Sequence, residues 1–271
     1  IQLTFIFSVC RKKCLVFFWK KMNFFDAHFH LVQFSQFVAI QGIKMYGATC
    51  AHSPEEYEKQ KELISFADKD SRIIQCFGIH PQNPVIEYAE FLKKLLERNE
   101  IAAVGEAGFD YFTDEFKAKK REQAECFAIQ AELAASFNKP LIIHDRKALD
   151  VLFEYRKLLS KIPSVIFHSF AFGKREADSL LSKGINAYFS FGKPILNGAK
   201  KAIECVKELP VDKILFETDA PFQTLKGEKF TSALEIENVY RKACELRGIE
   251  LENLLIKIKE NFNNAFILMN T

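Results

Sequence analysis

The chain is expected to fold as a (β/α)8 TIM barrel, an α/β architecture in which each parallel strand is followed by a helical crossover. Three observations predict it. Eight short apolar runs lie between Phe24 and Glu217, amphipathic stretches separate successive runs, and 271 residues are enough for one such barrel. An open doubly wound sheet is the competitor, but it calls for a glycine-rich turn after the first strand, and residues 29–34 contain no glycine.

The strands are expected at residues 24–28, 43–50, 73–79, 101–106, 141–144, 165–168, 187–190 and 214–217, each an apolar run of strand length. The first long helix, over residues 54–67, announces its start: Ser53 stands at the N-cap, Pro54 at the first helical position, and Glu56 where a capping box needs its acid. Further helical patterns cover residues 86–98, 116–137, 149–159, 174–183 and 199–208, and two last helices, 234–247 and 251–269, close the chain. No internal repeat or Pro/Gly-rich linker marks a second domain.

Composition is that of a globular enzyme, with 48% hydrophobic and 27% charged residues, and 28 Phe against one Trp make phenylalanine the main core filler. The formal charge of +3 advertises no strong field for a polyanion. Seven cysteines form an odd, scattered set, which reads as reduced cytoplasmic thiols rather than a disulfide framework or a zinc site. The first 21 residues hold two apolar runs broken by Arg11, Lys12 and Lys13, each run too short to span a bilayer. They are expected to be an extension outside the fold, with a single working domain over residues 22–271 and no membrane association.

Chemistry gathers at the strand ends. The first strand leads into Asp26-Ala27-His28-Phe29-His30, and because side chains alternate in extended chain, His28 and His30 share a face. They can bind one cation together or stand as two half-buried imidazoles. Glu106 follows Val104-Gly105, where a carboxylate either faces solvent or, if buried, needs a cation or hydrogen-bond partner. His144 and His168 each terminate an apolar run, and either alone is as readily a core or loop histidine. Asp219 precedes Ala220-Pro221, which also suits a turn former. In a parallel barrel, however, all these strand ends converge on one rim, the rim that carries active sites. Imidazoles and carboxylates without cysteine suit borderline to hard divalent cations, and the donors suffice for two. Two such ions serve a displacement at phosphorus or an attack on a carbonyl.

Other residues take lesser parts. Arg146, next to His144 on the rim, can grip a phosphate bidentately, and Lys174 and Lys193 are weaker candidates in the loops after strands six and seven. Asp110 and Tyr111 are placed to position the loop after Glu106. Tyr111, Phe170 and Phe222 are candidates to stack a base, with core packing as the plainer role for each. His52, just before the Ser53 cap, matches no motif and reads as ordinary surface.

In order along the chain, Asp26-Ala27-His28-Phe29-His30, Gly78-Ile79-His80-Pro81, Gly105-Glu106-Ala107-Gly108-Phe109-Asp110-Tyr111, Ile143-His144-Asp145-Arg146, Phe167-His168-Ser169-Phe170 and Glu217-Thr218-Asp219-Ala220-Pro221 form a series. It resembles the TatD family of metal-dependent deoxyribonucleases, within the amidohydrolase superfamily. The resemblance runs over residues 23–266 and includes Glu260-Asn261-Phe262 and Phe266 in the last helix. It implies one ion held by His28, His30 and Asp219, a second by His144 and His168, and Glu106 shared between them, the ions being Mg²⁺, Mn²⁺ or Zn²⁺. Asp219 would also orient the attacking water or take its proton, and His80 would touch substrate phosphate rather than a metal, its plainer role being a loop hydrogen bond.

The implied activity is hydrolysis of DNA from a 3′ end by a metal-bridging hydroxide. A net charge of +3 agrees with single-stranded ends alone entering the rim, and a monomer suffices. Two loops depart from the family pattern: Ser169-Phe170-Ala171-Phe172 stands where Cys or Ser-Phe-Ser-Gly is usual, and residues 222–232 form a shorter segment after Pro221. Both departures bear on substrate rather than metal. An ester or amide hydrolase, such as a D-aminoacyl-tRNA deacylase, is therefore the alternative reading, and a metal-binding interaction protein without catalysis is the non-enzymatic one.

Overall fold

The computed structural model describes residues 22–268; the expected extension over residues 1–21 and the last residue of the final predicted helix, Met269, lie outside them. Strands β1 (Phe25–Phe29), β2 (Tyr46–Ala51), β3 (Arg72–Phe77), β4 (Ala103–Asp110), β5 (Leu141–Arg146), β6 (Val165–Phe167), β7 (Ala187–Phe191) and β8 (Ile214–Phe216) form one sheet in chain order. Every hydrogen-bonded pair is parallel. The alternating helices are α1 (Leu31–Phe34), α2 (Pro54–Phe66), α3 (Tyr88–Glu97), α4 (Asp114–Ala118), α5 (Lys120–Ser136), α6 (Leu149–Glu154), α7 (Arg156–Leu159), α8 (Lys174–Ser182), α9 (Lys200–Glu208), α10 (Ile236–Arg247) and α11 (Leu251–Ala265).

The sheet curls until β8 stands beside β1, giving the expected (β/α)8 barrel. At the seam Asp26 accepts hydrogen bonds from the Thr218 N–H at 3.0 Å and the Thr218 hydroxyl at 2.6 Å. Beyond the strand ends the Asp219 N–H donates to the His28 carbonyl at 2.9 Å and the His30 N–H to the Ala220 carbonyl at 2.7 Å. The seam thus joins the two segments that carry predicted site residues.

Two apolar layers hold the barrel. Phe77, Val104, Phe109, Ile143, Phe167, Phe189 and Phe216 face outward onto the helices, while the lumen is filled by Phe25, Ala27, Cys76, Ile142, Ile166 and Leu215, floored by Phe262 and Phe266. Asn261, in the same last-helix motif, donates to the carbonyls of Val211 at 2.7 Å and Ile214 at 2.8 Å, so it fixes the start of β8.

Two register slips decide which side chains face the lumen. In β1, Asp26 pairs with Gly47 but Phe29 with Thr49; in β4, Val104 pairs with Leu141 but Ala107 with Ile143. Each slip inserts one residue, and one residue inverts the alternation of side chains. Phe25 and Ala27 therefore pack inside, Phe29 packs outside with Leu31 and Phe34, and His28 and His30 both turn inward. In β4 the outward set is Val104, Ala107 and Phe109, which leaves Glu106 and Asp110 inside. Gly108 is required next to them, because its φ is +146° and a Cβ there would overlap the His144 carbonyl oxygen.

Three helical expectations differ from the structure. Residues 116–137 form two helices that turn at Lys119, where the Phe116 carbonyl accepts from the Lys119 N–H at 3.1 Å and the Gln123 side chain at 2.7 Å. Residues 149–159 divide at Tyr155, whose ring is drawn edge-on to Phe127 at 4.9 Å. The last helix stops at Ala265 because Ile267 takes φ +53° and the Leu268 N–H bonds back to the Asn263 carbonyl at 2.8 Å.

Tyr240 of α10 bolts the outer layer to β1: its hydroxyl accepts from the Phe25 N–H at 3.2 Å and donates to the Phe25 carbonyl at 2.8 Å. Tyr240→Phe is expected to lower the unfolding free energy by about 1–3 kcal/mol, since it strands a buried donor and acceptor together. Urea denaturation with an unchanged slope would measure it; wild-type stability in the variant would show that β1 does not depend on this bolt.

Candidate functional site

The C-terminal ends of the strands open into a cleft of about 820 Å³. On its floor Glu106 lies buried between two groups of imidazoles. Its Oε2 faces His28 Nε2 at 3.3 Å and His30 Nε2 at 3.4 Å, while its Oε1 faces His168 Nε2 at 2.6 Å and His144 Nδ1 at 3.5 Å. Asp219, just past β8, joins the first group with Oδ1 at 3.3 Å from His30 Nε2 and 3.6 Å from His28 Nε2. Within the groups His28 Nε2 is 3.1 Å from His30 Nε2, and His144 Nδ1 is 3.1 Å from His168 Nε2. All six residues expected as metal ligands are thus brought together.

The donor set fits divalent cations on three counts. Neighbouring donors on one ion, each at about 2.1 Å, stand roughly 3.0–3.4 Å apart at octahedral or tetrahedral angles, and most of these separations fall in that interval. Glu106 Oε2 is buried without a hydrogen-bond partner. Three overlapping triads, His28/His30/Glu106, His28/His168/Asp219 and His80/Glu106/His144, each bring their donor atoms within 4.8 Å of one another.

Electrostatics follow from the crowding. Burial alone would push the Glu106 carboxyl up, but the imidazoles of His28 and His168 outweigh it and hold Glu106 well below the usual carboxylate range. Asp219 is lowered against burial by His30 and His168. Burial lowers His28, and lowers His80 well below the ordinary imidazole value. For His168, Glu106 outweighs burial and raises the imidazole well above that value.

Surrounding groups hold the donors in place. His144 Nε2 lies 3.2 Å from Asp110 Oδ2, so the other ring nitrogen is left to face Glu106. Burial pushes Asp110 up, yet hydrogen bonds from His144, Gln82 and the Phe112 N–H bring it down to about 2. Asp110 Oδ1 accepts from the Phe112 N–H at 2.9 Å, which is the loop-holding part expected of it, while Tyr111 packs on the outer layer. Gln123 and Gln130, on one face of α5, hold the ends of β4 and β3: Gln123 accepts from the Asp110 N–H at 2.9 Å, and Gln130 accepts from the Ile79 N–H at 2.6 Å and donates to its carbonyl at 3.1 Å. Their only sequence signal is two amides on a face that should be apolar. On the opposite wall Glu217 Oε1 accepts from the Ser169 N–H at 2.7 Å and hydroxyl at 2.6 Å, and Gln223 donates to Asp219 Oδ2 at 3.0 Å.

At the mouth His80 Nε2 stands 4.0 Å from Glu106 Oε1, farther than the other imidazoles. Its Nδ1 accepts from the Gln82 N–H at 3.2 Å, which puts the ring proton on Nε2 and makes that atom a donor. Arg146 lies 3.7 Å from Asp110 and stacks on Phe112 at 3.9 Å. Phe112, Lys147 and Lys201 line the cleft, although no motif announced them.

Several lesser expectations are corrected. His52 is not ordinary surface: it lines the cleft, with Nε2 at 3.2 Å from Glu106 Oε2, because β2 ends one residue before it. Lys193 is buried in ion pairs with Glu228 at 2.6 Å and Glu235 at 3.0 Å, so it ties down the segment after Pro221 instead of meeting substrate. Lys174 pairs with Asp178 along α8. Phe170 is core, while Phe222, exposed at the mouth, meets His30 edge-on at 5.0 Å.

Residues 25–267 match the family model described as TatD related DNase. The chain is 33% identical over 202 residues to the uncharacterized metal-dependent hydrolase YabD of Bacillus subtilis, covering 72% of this chain and 77% of that protein. It is 25% identical over 201 residues to the 3'-5' ssDNA/RNA exonuclease TatD of Pantoea vagans, covering 70% and 76%. Among solved structures, YjjV, a TatD homologue from Escherichia coli, superimposes with a TM-score of 0.75 at 23% identity over 90% of this chain and 98% of that one.

Because the donors converge only in the folded chain, Mn²⁺ or Zn²⁺ should stabilise it by about 2.7 kcal/mol at a hundred times the dissociation constant. A chelator-stripped sample is expected to regain several degrees in Tm on adding either ion, and Glu106→Gln to lose most of that gain. A wild-type melting curve indifferent to both ions would sink the metal centre.

Proposed function

The chain belongs to the TatD-related DNase family of metal-dependent hydrolases, and on that footing we propose that it is a deoxyribonuclease that shortens DNA from the 3′ end. It acts on single-stranded ends, as a monomer in the cytoplasm, with one barrel over residues 22–271 carrying the whole activity. The observation that carries this reading is the division of Glu106, each oxygen turned toward its own group of donors beneath a cleft edged by Arg146, Lys147 and Lys201. Those cations favour a phosphodiester over a carbonyl substrate. The free cysteines among the described residues suit a reducing compartment.

In this reading His28, His30 and Asp219 hold one divalent ion, His144 and His168 a second, and Glu106 is shared; Mg²⁺, Mn²⁺ and Zn²⁺ are all compatible with the ligands. When bound, the ions make water more acidic and neutralise charge on the phosphate. Asp219, held through Oδ2 by Gln223, orients the attacking water and takes its proton. The new oxygen–phosphorus bond forms as the bond to the leaving oxygen breaks. His80 donates its Nε2–H to a non-bridging phosphate oxygen, and Arg146 receives the next phosphate. Phe112 and Phe222, 50% and 48% exposed, offer faces on which terminal bases stack.

The test is single-stranded DNA labelled at either end, incubated with each metal and with wild type or Asp219→Asn. Metal-dependent shortening from the 3′ end is expected, reduced by about 10²–10⁴-fold in the variant. No shortening, or equal shortening by the variant, rejects the nuclease. Turnover of a D-aminoacyl-tRNA panel instead would establish the ester hydrolase, and metal binding with no turnover on either panel the interaction protein.

A further inference from the structure

We propose that His52 is a further imidazole ligand to the divalent cation held on the His28, His30 and Asp219 side of Glu106. The inference rests on the metal-centre reading above and adds a residue to it.

The ring is held on both sides of its Cα. The His52 N–H donates to Glu56 Oε2 at 2.9 Å, while the Glu56 N–H donates to Ser53 Oγ at 3.2 Å. The helix cap legible in the sequence therefore returns its acid one residue further back than a standard capping box, and anchors His52 at the tip of β2. On the ring, Nδ1 lies 3.4 Å from the Gly78 carbonyl oxygen. A carbonyl only accepts, so this long hydrogen bond places a proton on Nδ1, and in the neutral ring the lone pair then sits on Nε2, facing Glu106. That pairing of a backbone carbonyl behind the ring with a free nitrogen in front is how metal-bound imidazoles are oriented.

Nε2 is buried, has no hydrogen-bond partner, and stands 3.2 Å from Glu106 Oε2, itself buried and without one. Two such lone pairs repel at this distance unless positive charge lies between them. The spacing matches those of His28 and His30 to the same oxygen, 3.3 Å and 3.4 Å, and the His52 ring lies 5.4 Å from that of His30. His80 supplies the contrast. Its ring centroid is 5.0 Å from that of His52, yet its Nδ1 accepts from a main-chain N–H, so its Nε2 bears a proton and suits a phosphate oxygen. The backbone around two neighbouring histidines assigns one to metal and the other to substrate.

Wild type, His52→Gln and His80→Gln would be titrated with Zn²⁺ and Mn²⁺ against a competing chelator. The Co²⁺-loaded proteins would be compared by visible spectrum and by the number of paramagnetically shifted imidazole N–H resonances. His52→Gln is expected to weaken one ion by at least the roughly 10–100-fold that loss of an outer partner costs, to alter the Co²⁺ spectrum and to lose one shifted resonance. His80→Gln is expected to keep the wild-type affinity and resonance count. Unchanged affinity and spectrum in His52→Gln, with wild type loading normally, would overturn the role of His52 alone, as would a His52 that serves only as a protonated partner of Glu106. A wild type that takes up no ion would instead overturn the metal centre. If His52→Gln does not fold, the wild-type count decides: five shifted resonances support the proposal and four reject it.

Discussion

A carboxylate sealed inside a barrel persists only if positive charge or hydrogen-bond donors reach both of its oxygens, and Glu106 is that carboxylate. Nothing apolar can replace what surrounds it. Imidazoles from the ends of β1, β2, β5 and β6 converge on it, and Asp219 adds a second negative charge that deepens the need for cations. An uncompensated charge of this kind costs several kcal/mol, comparable to the whole stability of a domain. The fold is therefore arranged around a place where a divalent ion lowers the energy.

Delivering those side chains takes two irregularities in an otherwise regular sheet. The slips in β1 and β4 cost ladder hydrogen bonds, yet each reverses which face the following residues present. Without them the alternation begun by Phe25 and Ala27 would send His28 toward the helices, and that begun by Val104 would do the same to Glu106. The lumen below is apolar and closed by Phe262 and Phe266, so the polar groups are confined to one end. Stability sits at the floor and chemistry at the rim, a separation this architecture permits because all strand C-termini point the same way.

Around these side chains a second set of groups fixes orientation. Asp110 behind His144, Gly78 behind His52 and Gln82 behind His80 each decide which ring nitrogen faces the cleft. Buried Gln123 and Gln130 hold the strand ends from which these loops depart. Lys193 performs the same service on the far wall, pinning Glu228 and Glu235 so that Phe222 and Gln223 stay over the site. The two segments that depart from the family pattern, residues 169–172 and 222–232, contribute Ser169, Ala171, Phe172, Phe222 and Gln223 to that side of the cleft.

Much of this was legible in the residues. The eight apolar runs, the Ser53 cap, and a histidine or carboxylate at successive strand ends specified the barrel and the six principal donors, since periodicity and order along the chain are local properties. What the sequence could not decide was which atoms face which. His52 looked like surface because it belongs to no motif, and only the closeness of β2 to β4 puts its nitrogen beside Glu106. Lys193 looked exposed because lysines usually are, whereas two glutamates distant in sequence bury it. The inward phase of His28 and Glu106, the tautomer of each ring and the partners of each lysine depend on neighbouring strands and loops, and those contacts exist only once the barrel has closed.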